Sequence, residues 1–173
     1  INNSFRSGSF PNLLKIAKVC PVYKNGNASE LTNYRPISIL PSFSKIFERL
    51  TNYLTKNAVI SENQFGFRSN HSTLMAILGM VDKITTAMDN RQFSVGVFVD
   101  LSKAFDTLNH KILLHKLEHY GIRGIALKWF ESYLSHRMQF VEYNGIKFTH
   151  LRIKCGVPQG SILGPLLFLI YIN

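Results

Sequence analysis

The alternation and recurrence of apolar positions divide this chain into helical and extended stretches. Phe43, Ile46, Phe47, Leu50 and Leu54 recur on one helical face and predict a helix from Ser42. Leu74, Ile77, Leu78, Val81, Ile84 and Met88 predict a second from Ser72, with these side chains turned inward. Two further helices are expected over Lys111–Tyr120 and Ile125–Leu134, with Gly121 placed to end the first in a left-handed conformation. A last apolar helix follows Gly156-Val-Pro-Gln-Gly-Ser161, its start distorted by Gly164-Pro165.

Extended stretches read differently. Over 11–24, Ile16, Val19, Val22 and Tyr23 interleave with lysines as a half-exposed strand, and Pro21 marks an edge or bulge. Asn25–Glu30 is rich in turn residues, and Tyr34–Leu40 returns as a second strand of a hairpin. Arg137–Asn144 and Ile146–Lys154 predict another hairpin around Asn144-Gly145. Between them lies Phe93-Ser-Val-Gly-Val-Phe-Val-Asp100, β-branched and apolar on both faces, which predicts a covered central strand carrying a carboxylate at its end. Hairpins and helices without regular βαβ alternation point to an α+β fold with an antiparallel sheet.

Composition changes this picture in two ways. With 173 residues and 46% hydrophobic content, the chain is sized for a single well-cored domain. Its 20 Lys and Arg against 10 Asp and Glu leave a net charge of +10, which suits a polyanionic partner: nucleic acid first, an anionic membrane second. Cys20 and Cys155 form neither a disulfide framework nor a metal-binding spacing, and read as reduced thiols of an intracellular protein. His115 and His119 stand four apart without an acidic third ligand, so solvated helix-face histidines are the better reading than a zinc site. Ile1-Asn-Asn-Ser-Phe-Arg lacks the apolar core of a signal peptide, and the longest apolar run, Ile162–Ile172, is too short to span a bilayer. No initiator Met opens the chain and its last residues stop within a pattern, so it is expected to be a fragment.

Asp100 is the candidate for chemistry. A carboxylate leaving a core is costly unless paired or bound to a cation. The plain alternative is an Asp that ends a strand or caps the helix near Asn109. Four blocks in order bear on this choice. Phe98-Val-Asp-Leu-Ser-Lys-Ala-Phe-Asp106 resembles motif A of reverse transcriptases, and Gly156-Val-Pro-Gln-Gly-Ser-Ile-Leu-Gly-Pro-Leu-Leu-Phe168 resembles their motif B. Asn33-Tyr-Arg-Pro-Ile-Ser-Ile-Leu40 is similar to the fingers block, and Gln64-Phe-Gly-Phe-Arg68 to the segment that follows. The continuation Asp106-Thr-Leu-Asn-His110 is similar to non-LTR, jockey-like retrotransposon polymerases.

That resemblance implies a right-hand polymerase: mainly fingers over about 1–92 and a partial palm over about 93–173, with an antiparallel palm sheet packed against helices. It implies an RNA-directed DNA polymerase acting on an RNA template, a DNA primer and deoxynucleoside triphosphates, with two Mg2+ ions (Mn2+ as a substitute). No membrane partner is implied. The site would be nuclear at integration and cytoplasmic in transit. Asp100 would be the first metal ligand, helped by the Leu101 carbonyl. Asp106 would be a structural acid with a backbone or Arg/Lys partner, and Glu142 would lie on a hairpin away from the cleft. Lys24 and Arg35 would contact the triphosphate, or else are solvated surface charges. Phe105 would sit under the incoming sugar and disfavour a 2′-hydroxyl, or be a core residue, or both. Gln159 would contact the nucleotide and template strand, with Gly156 and Gly160 allowing close backbone approach. Motif C, which supplies further carboxylates, and the thumb would follow Asn173. The expected alternative is a non-catalytic nucleic-acid-binding relic.

Overall fold

Strand β1 (Ile16–Tyr23) organises the sheet, because both of its edges are paired. On one side it runs antiparallel to β2 (Tyr34–Ile39), with Val22 opposite Arg35 and Val19 opposite Ser38. On the other it runs parallel to β3 (Met138–Tyr143), with Ile16 opposite Met138 and Val19 opposite Val141. A computed structural model describes residues 2–39, 50, 52–54, 56–57 and 59–173. β4 (Ile146–Lys147) and β5 (Leu151–Arg152) both pair antiparallel with β3.

The sheet is therefore mixed, which corrects the expectation of an antiparallel one. Hairpin signals specify each local pairing but not how two hairpins join. Here they join side by side in the same direction after a long helical crossover, as parallel strands require. The second hairpin turns at Asn144 and Gly145, both with positive φ (48° and 79°), as predicted for this dipeptide. Its return strand is broken into β4 and β5 rather than running through 146–154. Residues 11–24 are likewise not one strand: a 3-10 turn at Asn12–Lys15 precedes β1.

Among the described residues, three helices contribute most of the core. His110–His119 contributes Leu113 and Leu117, Gly124–Leu134 contributes Trp129, Phe130, Tyr133 and Leu134, and Leu163–Ile172 contributes Leu166, Leu167, Leu169 and Ile170. The last is apolar on every side, which suits an element covered all round. Pro165 falls in its first turn, where a missing N–H costs no helical bond. Gly121 (φ 87°) ends His110–His119 as the pattern predicts. The short Asn2–Ser7 helix docks on the same core: Phe5 stacks on Trp129 at 4.9 Å, and the indole Nε1 donates to Ser4 Oγ at 2.9 Å.

Two expectations fail in the stretch between sheet and core. Thr73–Asp89 is helical, capped by Ser72, yet none of its residues is buried, and Leu74 and Met88 are 64% and 69% exposed. The predicted central strand over 93–100 is unpaired, with Val95, Val97 and Val99 exposed. Its β-branched residues suit a pleated surface, but a strand forms only beside a neighbour that satisfies its N–H and C=O groups. Among the described residues no strand lies beside it. A groove of about 880 Å³ separates Ala76, Met80 and Ile84 from Phe65, Val95 and Phe98. The predicted Ser42 helix falls largely outside the described residues; of its apolar set, Leu50 and Leu54 are described, and both are buried. Among the described residues, no helix is long and apolar enough to cross a membrane.

Candidate active site

Two turns distant in sequence lock together at the edge of the sheet. The first descends from Leu101 to Asn109. The Asp106 amide donates to the Lys103 carbonyl at 2.8 Å, and the Asn109 side chain then caps His110–His119 through Lys111 N and Ile112 N. Asn109 thus takes the capping role that was one alternative for Asp100. The second turn is Gly156–Ser161. Gly156 N donates to the Leu108 carbonyl and Val157 N to the Phe105 carbonyl, both at 2.8 Å. The His110 Nε2 lies 2.7 Å from the Gly156 carbonyl, an acceptor-only partner that assigns the proton to Nε2.

Glycine is required at this contact. Gly156 has φ 80°, and a Cβ there would lie 2.7 Å from the backbone of Asp106. The loop then reaches the free edge of β2. Ser38 N donates to the Gln159 carbonyl at 2.7 Å, and a Cβ on Gly160 (φ 89°) would sit 2.9 Å from the Ser38 carbonyl. The Gln159 side chain donates from Nε2 to Asp106 Oδ2 at 3.4 Å. Asp106 therefore has a glutamine as its side-chain partner, where a backbone or Arg/Lys partner was expected. One loop bridges the sheet edge and the turn after Asp100.

Behind the loop stands a buried cation. Arg137 Nη1 donates to the Tyr133 carbonyl at 3.0 Å, and the guanidinium lies over the Tyr133 ring at 4.7 Å. Burial holds this guanidinium below its usual range, and burial pushes the Tyr133 hydroxyl up, partly offset by Arg137 and by a hydrogen bond with Ser161. The Arg137 carbonyl accepts from Ile153 N, which fixes the approach to Gly156. Lys15 is also buried, its Nζ 3.4 Å from Ser132 Oγ; burial, and then Arg137, lowers its pKa.

The named candidates separate into two groups. Gln159, Gly160 and Phe105 converge: the Phe105 carbonyl holds Val157, while its half-buried ring lies 5.0 Å from Phe168 and 6.2 Å from Phe67. The others stand apart. Asp100 and Leu101 are exposed on the unpaired segment, and among the described residues the Asp100 carboxylate makes no hydrogen bond or ion pair. Arg35 follows the strand alternation to the sheet face opposite Pro36 and Ser38, and Lys24 is exposed beyond β1, its amide donating to the Asn33 carbonyl. Glu142 pairs with Lys18 at 2.8 Å on β3, away from Gln159.

As ligands for Mg2+, the described residues fit in part. Asp100 offers a hard, exposed oxygen donor. Among the described residues, however, no three His, Cys, Asp or Glu gather to hold a metal. They offer one exposed oxygen donor at Asp100 and no gathered set around it. Sequence reading missed His110 and Arg137. His110 had a signal in its place directly after the Asp106-Thr-Leu-Asn turn; Arg137 had none, since its role depends on a core assembled from distant segments.

A family model described as reverse transcriptase (RNA-dependent DNA polymerase) matches residues 22–173. The chain is 36% identical over 178 residues to the RNA-directed DNA polymerase from mobile element jockey of Drosophila melanogaster, an alignment covering 99% of this chain and 19% of the relative. It is 35% identical over 171 residues to the probable RNA-directed DNA polymerase from transposon X-element of the same species, covering 94% of this chain and 18% of the relative. The corresponding protein from transposon BS is 33% identical, with 98% of this chain and 19% of the relative covered. The chain thus spans about a fifth of the length of these relatives.

Proposed function

The chain belongs to the reverse transcriptase family, and on that premise we propose that it forms the fingers and part of the palm of a non-LTR retrotransposon RNA-directed DNA polymerase. The observation that carries this reading is the lock between the turn after Asp100 and the Gly156–Ser161 loop, which spans 46 residues between His110 and Gly156. Two blocks that resemble polymerase motifs meet at one sheet edge, and chance placement of unrelated turns would not require a glycine at their contact.

The reaction proposed for the complete enzyme is transfer of a deoxynucleotide to a primer 3′-hydroxyl on an RNA template. Bound divalent ions would supply charge stabilisation at the attacking and leaving oxygens. Asp100, with the Leu101 carbonyl, would hold one of them. Lys24 and Arg35 would receive the triphosphate, and Phe105 would bear on the sugar. Gln159 and Gly160 would position the base pair through a loop held rigid from both sides.

With no three His, Cys, Asp or Glu gathered for a metal among the described residues, residues 1–173 by themselves are expected not to extend a primer. A chain lengthened to the extent of its relatives is expected to do so, and Asp100→Asn in it should lower extension on an RNA template by at least about 10³-fold, the scale of losing a main electrostatic contribution. Retained activity in that variant would remove Asp100 from the metal site. An inactive lengthened chain that still binds hybrid would favour the alternative, a nucleic-acid-binding relic.

A further inference from the structure

Beside the locked turns lies a cavity of about 450 Å³, and its charge is not explained by the lock. Its floor is apolar, made by Val19, Pro36, Val141 and Val157, and its polar lining includes Asp106, Gln159, Arg152 and Lys154. Asp106 is engaged by Gln159. Arg152 and Lys154 are exposed, and among the described residues neither has a carboxylate partner. Two cations against the one Asp106 carboxylate, over an apolar floor, suit a ligand that is anionic on one side and apolar on the other. Arg35 and Lys24 do not line this cavity, so the triphosphate role proposed for them falls outside it, while Gln159 lines it.

Resting on the polymerase reading above, we propose that Arg152 and Lys154 grip the sugar–phosphate backbone of a nucleic-acid strand crossing this cavity, with its sugars or bases on the apolar floor. The guanidinium offers a fork for one phosphate and the ammonium a point charge for the next. Because Arg152 belongs to β5 and Lys154 leads directly into Gly156, the grip is rigidly connected to the loop that carries Gln159. The strand's position would therefore be set by the same element that faces the incoming base pair.

The test compares R152A/K154A with R123A/K128A, which removes the same charge from exposed positions on and just before the Gly124–Leu134 helix. Binding of an RNA–DNA hybrid to the chain is titrated across a range of salt concentrations. Loss of two phosphate contacts should flatten the slope of log K against log salt by about 1.4 to 1.8 in R152A/K154A, with little change in the control pair. Equal slopes in the two variants would overturn the proposal. If the parent itself binds without salt dependence, the polymerase reading loses its basic-surface support, which is a separate outcome. Cys155 lines the same cavity and is exposed, so its alkylation rate is an independent readout. Hybrid should slow it at least about tenfold, and a deoxynucleoside triphosphate alone should leave it unchanged. Protection by the triphosphate alone would make the cavity a nucleotide pocket and overturn the strand assignment.

Discussion

The turn pair at 101–110 and 156–161 is poorer in apolar residues than the stretch from Thr73 to Val99, yet it is the turn pair that finds partners. In the first, Leu108 and Val157 are buried, and the backbone groups of Phe105, Leu108, Gly156 and Val157 are bonded across the contact. In the second, a well-formed helix and a β-branched run stay exposed from Leu74 to Leu101. The difference lies in partners, not in propensity. A helix satisfies its own backbone and forms without tertiary help when its cap and composition allow, whereas a strand does not. Apolar side chains then contribute to stability only as far as another surface removes them from water.

Substitutions matched across the two regions sharpen that contrast. Leu117 is fully buried, and Leu117→Ala should cost about 2–5 kcal/mol in the urea unfolding free energy. Val97→Ala, at an exposed position in the same chain, should stay within about 0.5 kcal/mol. A large loss at Val97 would mean that the 93–101 segment is covered in solution and that the contrast is false.

The next effect is smaller and more local. Gly156→Ala forces a left-handed backbone on an alanine and drives its Cβ against Asp106, so about 1–3 kcal/mol should be lost, limited by parting of the two turns. Gly96→Ala meets only the Phe98 ring at 3.3 Å, a side chain free to move, and should change little. Equal effects at the two glycines, read from urea midpoints, would show that the lock does not distinguish the regions.

The smallest effect belongs to the ion pair on the sheet. Its hydrogen bond lowers the Glu142 pKa and raises that of Lys18. For the carboxylate, the contribution is present above its unfolded pKa and fades as pH falls through the lowered folded one. For the ammonium, it is present below the unfolded pKa and fades as pH rises through the raised one. Both groups are partly open to solvent, so Glu142→Gln should give only a slight loss at neutral pH that disappears in acid and in high salt. A loss that persists in acid would mark a packing role for Glu142 instead.

Sequence alone determined the local elements with a backbone reason behind them. The Gly121 helix end, the Asn144-Gly145 turn, the helices at 110–119 and 124–134 and the family itself were all legible, because each rests on neighbouring residues or on ordered blocks. The site was legible as blocks but not as an arrangement: Gln159 and Phe105 could be named, whereas the Asp106–Gln159 contact and the His110 bond to Gly156 could not. Only tertiary structure decided that β1 and β3 run parallel, that Arg137 lies buried against Tyr133, and that the residues around Val97 have no strand beside them among the described residues. The physical reason is the same throughout. Turn and helix bonds close over a few residues and are written in local sequence, while strand direction, burial and site geometry depend on which distant surfaces meet.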